Sequence, residues 1–212
     1  MNYPVYLFDF DYTLANSEKG IVDCFQLTLQ KHGYPAAAAD TIRRTIGLPM
    51  EEAVSRITGE TDPARIRWFQ SEYRVFSNTL MTPNTFFYPE TIPTLTELRR
   101  RGARIGIIST KTHGRIQEKF AADQVTHLID FIIGREDVQN PKPDPEPILQ
   151  AIERLKVQKS AVLYTGDNII DAQAAQNAGV DFAAVTTGTH TEADFAAYPH
   201  KKIMKNLAEL LY

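Results

Sequence analysis

The chain has 212 residues, of which 23% are charged and 43% hydrophobic, and its formal net charge is −3. This length accommodates a core domain with an insertion, and the acidic balance argues against a nucleic-acid-binding protein, which usually carries an excess of basic residues. A single cysteine, Cys24, excludes an internal disulfide and favours a reducing compartment. We expect a cytoplasmic protein, because the N-terminus has no signal-peptide pattern and no apolar run approaches the ~20 residues of a membrane span.

The N-terminal stretch changes from apolar to acidic within a few residues. Val5 to Phe8 is a β-prone apolar run of the kind that forms a strand buried on both faces. Asp9, Asp11 and Thr13 follow it. Two carboxylates this close either repel each other or share a cation, and Mg²⁺ would bind both while leaving positions for a substrate phosphate and water.

The segment after this turn has helical periodicity and no strand pattern. Helices are predicted from Ser17 to Gly33, from Asp40 to Ile46, from Glu51 to Ile57 and from Pro63 to Phe76. Asp40 is expected to cap the second of them. We therefore predict a helical insert at residues 17–82 and a core domain composed of residues 1–16 and 83–212.

From Tyr88 onward, strand patterns alternate with helical patterns. The predicted strands are Ala103 to Ile108, Phe131 to Ile133, Ala161 to Thr165 and Phe182 to Val185, before a short edge strand and a last helix after His200. Such alternation implies right-handed crossovers and an α/β fold with a parallel sheet. The carboxyl ends of parallel strands lie along one edge of the sheet, so residues distant in sequence meet there.

Polar side chains are predicted at this edge after several strands or in the loops beside them. Asp9 is a candidate nucleophile that would form an aspartyl-phosphate, and Asp11 a general acid for the leaving oxygen and then a base for the attacking water. Because a carboxylate and a phosphate dianion repel each other, cations must screen the attack, and the ammonium of Lys142 is a candidate beside Mg²⁺.

The remaining candidates would bind phosphate or metal. Ser109, and the backbone amides of a helix start after Thr110, would hold phosphoryl oxygens. Asp167 would bind Mg²⁺, and Asp171 would either orient metal-bound water or bind the ion directly. The four-residue spacing of these two acids at a helix start places both on one helix face.

The order of these motifs resembles the haloacid dehalogenase-like superfamily. The family motifs are D-x-D-x-[TV], a Ser or Thr after a strand, a Lys, and G-D-x-x-x-D; the matching residues are Asp9, Asp11, Thr13, Ser109, Lys142, Gly166, Asp167 and Asp171. Within the superfamily the chain looks like the phosphoglycolate phosphatase and beta-phosphoglucomutase group. Tyr12 departs from the pattern, since the family usually has Gly at that position.

The resemblance implies a fold, a metal and a set of ligands. The fold would be a Rossmann-like, doubly wound parallel-sheet core with an inserted all-helical cap domain. Mg²⁺ would be bound by Asp9, Asp167 and Asp171, with Asp11 offering its backbone carbonyl. Thr13, Ser109, Thr110, Lys142 and a specificity loop at Gly47 would contact the substrate.

We therefore expect a Mg²⁺-dependent phosphatase that hydrolyses a small phosphate monoester, phosphoglycolate-like or a sugar phosphate. A beta-phosphoglucomutase-like mutase with the same nucleophile is the alternative, and a non-catalytic phosphoacceptor is a more distant one. The expected partner is a small phosphorylated molecule, with no nucleic acid or membrane, and the chain is expected to be a monomer or a weak homodimer.

Overall fold

The computed structural model describes residues 2–212, and the chain divides into two compact units. The first contains the chain up to Ala15 together with Phe87–Tyr212, and the second is Asn16–Phe86. No helix among the described residues is long and apolar enough to cross a bilayer.

The predicted helices and strands occur in the predicted order, with one correction: the last helix expected after His200 is only a 3₁₀ turn, Leu207–Leu211. The short segments Ala15–Asn16, Phe86–Phe87 and Glu192–Phe195 were not predicted. The strands are β1 (Val5–Phe8), β2 (Ala15–Asn16), β3 (Phe86–Phe87), β4 (Arg104–Ile108), β5 (Phe131–Ile133), β6 (Val162–Gly166), β7 (Asp181–Val185) and β8 (Lys202–Met204). The α-helices are α1 (Glu18–Lys31), α2 (Ala39–Arg43), α3 (Met50–Thr58), α4 (Pro63–Leu80), α5 (Thr91–Arg100), α6 (His113–Ala122), α7 (Glu146–Leu155), α8 (Ile169–Ala178) and α9 (Glu192–Phe195). Short 3₁₀ turns cover Thr82–Asn84, Thr126–Leu128, Arg135–Asp137, Lys159–Ala161 and Leu207–Leu211.

The first unit is built on a parallel sheet with the strand order β5-β4-β1-β6-β7-β8. β1 lies between β4 and β6, with Leu7 opposite Gly106 on one side and Tyr164 on the other. All four residues of β1 are buried. Since all the pairings of this sheet are parallel, the strands end along one edge, and the prediction of an α/β parallel-sheet fold is confirmed.

Each face of the sheet is covered by its own apolar layer. Tyr6 and Phe8 of β1 belong to a cluster with residues of α5 and α6, including Phe120. Val5 and Leu7 point to the opposite face and belong to a cluster with residues of α7 and α8. Burying each such large side chain contributes about 1.5–3 kcal/mol, so helices on both faces hold β1 rigidly in the centre of the sheet.

The second unit is a bundle formed by α1 to α4. Phe25 of α1 packs against Phe69 and Tyr73 of α4, with ring centroids 5.9 and 4.9 Å apart. Cys24 is fully buried in α1, as expected of a core cysteine. The expected capping role of Asp40 is wrong: α2 begins at Ala39, and the Asp40 carboxylate instead accepts a 2.8 Å hydrogen bond from Arg44, one turn later.

Candidate active site

The turn after β1 brings Asp9 and Asp11 to the carboxyl edge of the sheet. The amide of Asp9 donates to the carbonyl of Thr165 at 2.9 Å, which continues the β1–β6 pairing, and the Asp9 side chain is buried. The amides of Leu14 and Ala15 both donate to the carbonyl of Phe10 at 3.0 Å. These bonds close a tight turn that holds the two acids at the end of the central strand.

Tyr12 lies in this turn in a left-handed backbone conformation, with φ 61°. This conformation explains why the family usually has Gly at the position, because a side chain there costs roughly 1–2 kcal/mol. The Tyr12 amide donates to the Ala15 carbonyl at 2.7 Å, and its carbonyl accepts a hydrogen bond from the Thr187 hydroxyl. The side chain is only 4% exposed, so its burial offsets part of the backbone strain.

Lys142 is buried at the centre of the site. Its Nζ donates to Asp9 Oδ1 at 2.8 Å and to Asp171 Oδ1 at 2.5 Å, and it lies 5.7 Å from the ring centroid of Tyr164. Burial by itself would lower the pKa of the Lys142 ammonium. The nearby carboxylates of Asp171 and Asp9 have the larger effect, so the pKa of Lys142 is raised. Lys142 therefore remains a fixed positive charge beside the candidate nucleophile.

Asp167 approaches the same point from the end of β6. It is 3% exposed, and its Oδ1 accepts a 3.1 Å hydrogen bond from the Thr13 hydroxyl. The backbone at Gly188 passes so close to Asp167 that a Cβ on Gly188 would lie 1.9 Å from Asp167 Oδ2. Thr13 on one side and the glycine backbone on the other therefore fix the direction of this carboxylate.

Asp9, Asp167 and Asp171 form a group that suits a hard cation. One oxygen from each lies within 4.8 Å of the others, and all three residues are buried. Burial raises the pKa of Asp9 to about 6 against the opposing effect of Lys142, and burial with the charges of Asp9 and Asp171 raises the pKa of Asp167 well above its ordinary value. Clustered carboxylate oxygens are the donors that Mg²⁺ prefers, so these residues fit the ion implied by the sequence motifs.

Asp171 is already well supplied with hydrogen bonds. Its Oδ1 accepts from Lys142 and, at 2.8 Å, from the hydroxyl of Tyr164, while its Oδ2 accepts from the backbone amide of Asn168 at 3.0 Å. Asn168 in turn caps α8 by accepting from the amide of Ile170. Lys142, Tyr164 and the Asn168 amide therefore fix the position of the Asp171 carboxylate within the acidic group.

Ser109 and Lys111 follow β4, next to the turn after β1. The Ser109 amide donates to the Ile133 carbonyl at 3.1 Å, and its hydroxyl accepts from the Lys111 amide at 3.3 Å. The ammonium of Lys111 contacts both carboxylate oxygens of Asp11, at 2.9 and 3.0 Å. Lys111 was not among the predicted site residues, although its position two residues after Ser109 indicates that it lies at the same edge of the sheet.

The first unit thus brings together seven of the predicted site residues through short links. Lys142 joins Asp9 to Asp171, Thr13 joins Asp167, and Lys111 joins Ser109 to Asp11; Thr110 lies half-buried between Ser109 and Lys111. Gly47 belongs to the second unit, where its φ of 95° is in the region that glycine tolerates best. Its contact with a substrate remains a prediction, as do the chemical roles of the other residues.

The charges of the site are unequal. Four buried carboxylates, those of Asp9, Asp11, Asp167 and Asp171, face the ammonium groups of Lys111 and Lys142. With all of these groups charged, two negative charges remain in excess. One divalent cation would neutralise them, which is a second reason why the residues fit Mg²⁺.

Comparison with known proteins gives the class to which this fold and site belong. The family model for haloacid dehalogenase-like hydrolases matches residues 6–185. A solved structure described as a haloacid dehalogenase-like hydrolase from Bacteroides fragilis is 48% identical, covers 99% of this chain and 100% of its own, and has a TM-score of 0.96. The chain belongs to the haloacid dehalogenase-like hydrolase family, and the resemblance inferred from the motifs is confirmed.

Two further similarities are informative. Pyrophosphatase PpaX from Bacillus velezensis is 29% identical over 206 residues, which cover 97% of this chain and 94% of that protein. A structure described as a predicted phosphoglycolate phosphatase from Haemophilus somnus has a TM-score of 0.90 at 21% identity, covering 99% of this chain and 96% of its own. The second similarity concerns the fold alone.

Proposed function

We propose that the chain is a Mg²⁺-dependent phosphatase that hydrolyses a small phosphate monoester through an aspartyl-phosphate on Asp9. The observation that carries the proposal is the buried contact between Asp9 and Lys142, with Asp167 and Asp171 beside it. A carboxylate at the end of the central strand, next to a fixed ammonium, is suited to attack phosphorus while its charge is screened.

The reaction divides into two half-reactions. In the first, an Asp9 oxygen forms a bond to phosphorus as the ester oxygen leaves, and Asp11 gives that oxygen a proton. In the second, water attacks the phosphorus, Asp11 takes the proton of that water, and the bond to Asp9 breaks to release inorganic phosphate. Lys142 would remain in contact with Asp9 in both steps, while Ser109 and Thr110 would hold the phosphoryl oxygens.

Asp9 and Asp167 would hold Mg²⁺, with the backbone carbonyl of Asp11 as a further ligand and Asp171 near the ion. When bound, the ion would neutralise the acidic cluster and the charge of the phosphoryl group.

The names of the similar proteins suggest the substrates to test first, since one is called a pyrophosphatase and another a predicted phosphoglycolate phosphatase. We also propose that the protein acts in the cytoplasm as a monomer or a weak homodimer.

The test is release of phosphate from a panel containing phosphoglycolate, sugar phosphates and pyrophosphate, with Mg²⁺ and with EDTA. We expect turnover of at least one ester with Mg²⁺ and none with EDTA. Asp9→Asn should abolish turnover. The circular dichroism spectrum and the melting transition of this variant should remain those of a folded protein. No phosphate from any compound, or undiminished turnover by Asp9→Asn, would overturn the proposal.

A further inference from the structure

The contact between Lys111 and Asp11 has no part in the chemistry described above. The side chains of both residues are 8% exposed, and the Lys111 ammonium is almost equally distant from the two Asp11 oxygens. It also lies 5.9 Å from the ring centroid of Phe10, which belongs to the same turn as Asp11. A nearly symmetric contact with both oxygens restricts rotation of the carboxylate about its terminal bond.

The backbone around Lys111 makes this contact specific. Its amide donates to the Ser109 hydroxyl, and its carbonyl accepts from the Arg135 amide at 3.1 Å. The residue is therefore anchored at the end of β4, on one side by a candidate phosphate ligand and on the other by the loop after β5. An anchored main chain and a buried ammonium define one position for the Asp11 carboxylate.

We propose that Lys111 is a positioning residue for the second half-reaction, in which it orients the Asp11 carboxylate toward the water that hydrolyses the aspartyl-phosphate. This inference rests on the proposed function. When the water oxygen bonds to phosphorus and the Asp9–phosphorus bond breaks, the proton of the water moves to the Asp11 oxygen that points at it. Asp11 then carries the proton that the leaving group of the next substrate receives.

This role predicts which step suffers when Lys111 is removed. Lys111→Met keeps a long apolar stem and removes the ammonium. With p-nitrophenyl phosphate, whose leaving group needs little protonation, kcat/KM reports formation of the phosphoenzyme and should change little. Misalignment of a catalytic group costs up to about 100-fold in rate, so kcat should fall about 10- to 100-fold as hydrolysis becomes limiting.

The decisive measurement is the phosphoenzyme itself. Rapid mixing should give a burst of p-nitrophenol, and acid quenching should trap more phosphate per mole of Lys111→Met than per mole of wild type. Lys111→Arg, which retains a cation, should recover part of kcat. In an Asp11→Asn background, Lys111→Met should cause little additional loss, because the residue would act through Asp11.

Lys119→Met is the matched control. Lys119 is also a buried lysine of the first unit; it lies in α6, outside the site, and makes a 2.8 Å ion pair with Asp123, the residue that follows that helix. It should leave both kcat and the trapped phosphate unchanged. If Lys111→Met does not fold, Lys111→Gln replaces it as the variant without a cation and is compared with Lys111→Arg, which retains one.

Different results would overturn different claims. Equal losses in kcat and kcat/KM without a burst, or an additive loss in the Asp11→Asn background, would show that Lys111 does not act through Asp11 in hydrolysis. Unchanged kcat in Lys111→Met would also overturn the proposed role of Lys111, but it would leave the proposed phosphatase activity unaffected. Absence of any turnover or trapped phosphate in the wild type would instead overturn the proposed function.

Discussion

The ammonium of Lys142 lies 2.8 Å from Asp9 Oδ1, and the side chains of both residues are only 2% exposed. Lys142 comes from the proline-rich loop before α7 and Asp9 from the end of β1, 133 residues earlier. Its second contact, with Asp171, extends the pair to the start of α8. One buried cation thus connects three segments of the sheet unit, and it couples the stability of this edge to its chemistry.

Replacing Lys142 by Met should therefore reduce stability as well as activity. Removal of one partner from a buried ion pair leaves an uncompensated charge and costs about 3–5 kcal/mol. We expect a loss of this order in the free energy of unfolding, measured with urea at neutral pH without Mg²⁺. Lys119→Met, which removes the more exposed pair with Asp123, should cost about 1 kcal/mol or less. Equal losses in the two variants would contradict the central position of Lys142.

Asp167 and Asp171 should respond differently to replacement by Asn. Asp167→Asn removes a proposed metal ligand, so Mg²⁺ binding measured by calorimetry should weaken at least about 10-fold. Asp171→Asn mainly disturbs Lys142 and Tyr164, so it should lower kcat with a much smaller change in Mg²⁺ affinity. Equal losses of affinity in the two variants would show that Asp171 binds the ion directly.

The acidic cluster should make the metal-free protein less stable as the pH rises. The folded-state pKa of Asp9 is raised to about 6 from an ordinary value of 3.8, so the native state binds more protons than the unfolded state between these values. The contribution of Asp9 to stability is therefore lost as the pH rises from about 4 through 6. The raised pKa of Asp167 acts in the same direction.

This effect can be separated from the other carboxylates by comparison with Asp167→Asn. The variant keeps an oxygen that accepts from Thr13 and removes one charge, so at pH 7 without metal it should melt at a higher temperature than the wild type. Its advantage should shrink toward pH 4 and should disappear at pH 7 when Mg²⁺ is added to the wild type. If the melting temperatures of the two proteins differed by the same amount at every pH, charge repulsion within this cluster would not be the cause of the difference.

Gly188→Ala should weaken metal binding without unfolding the chain. Its Cβ would lie 1.9 Å from Asp167 Oδ2, so the carboxylate must move away from its place beside Asp9. We expect the Mg²⁺ concentration for half-maximal activity to rise by about 10-fold, by analogy with other residues that orient metal ligands. Gly114→Ala is the control, because a Cβ there meets no atom within 4 Å and alanine is a good helix former in the first turn of α6. An unchanged Mg²⁺ requirement in Gly188→Ala would indicate that Asp167 can shift without loss of function.

The sequence was most informative where local pattern and chemistry coincide. β5 has the predicted bounds, because its apolar pattern and the glycine that follows it define the strand locally. α2 was predicted less well: a short helix depends on packing, and Asp40 had an arginine partner one turn away that competed with capping. Asp9, Asp11 and Asp167 could be selected as candidates because ligands of parallel α/β sheets bind beyond the carboxyl ends of the strands, where these acids lie.

What the sequence alone determined is the alternation of strands and helices, the family and the set of polar residues at one edge of the sheet. Only the tertiary structure decided how those residues pair. It placed Lys142 between Asp9 and Asp171, showed the left-handed backbone of Tyr12, and brought Lys111 to Asp11, 100 residues away in the chain. Pairing depends on side-chain direction and on strand order in the sheet, and neither is encoded by spacing along the chain.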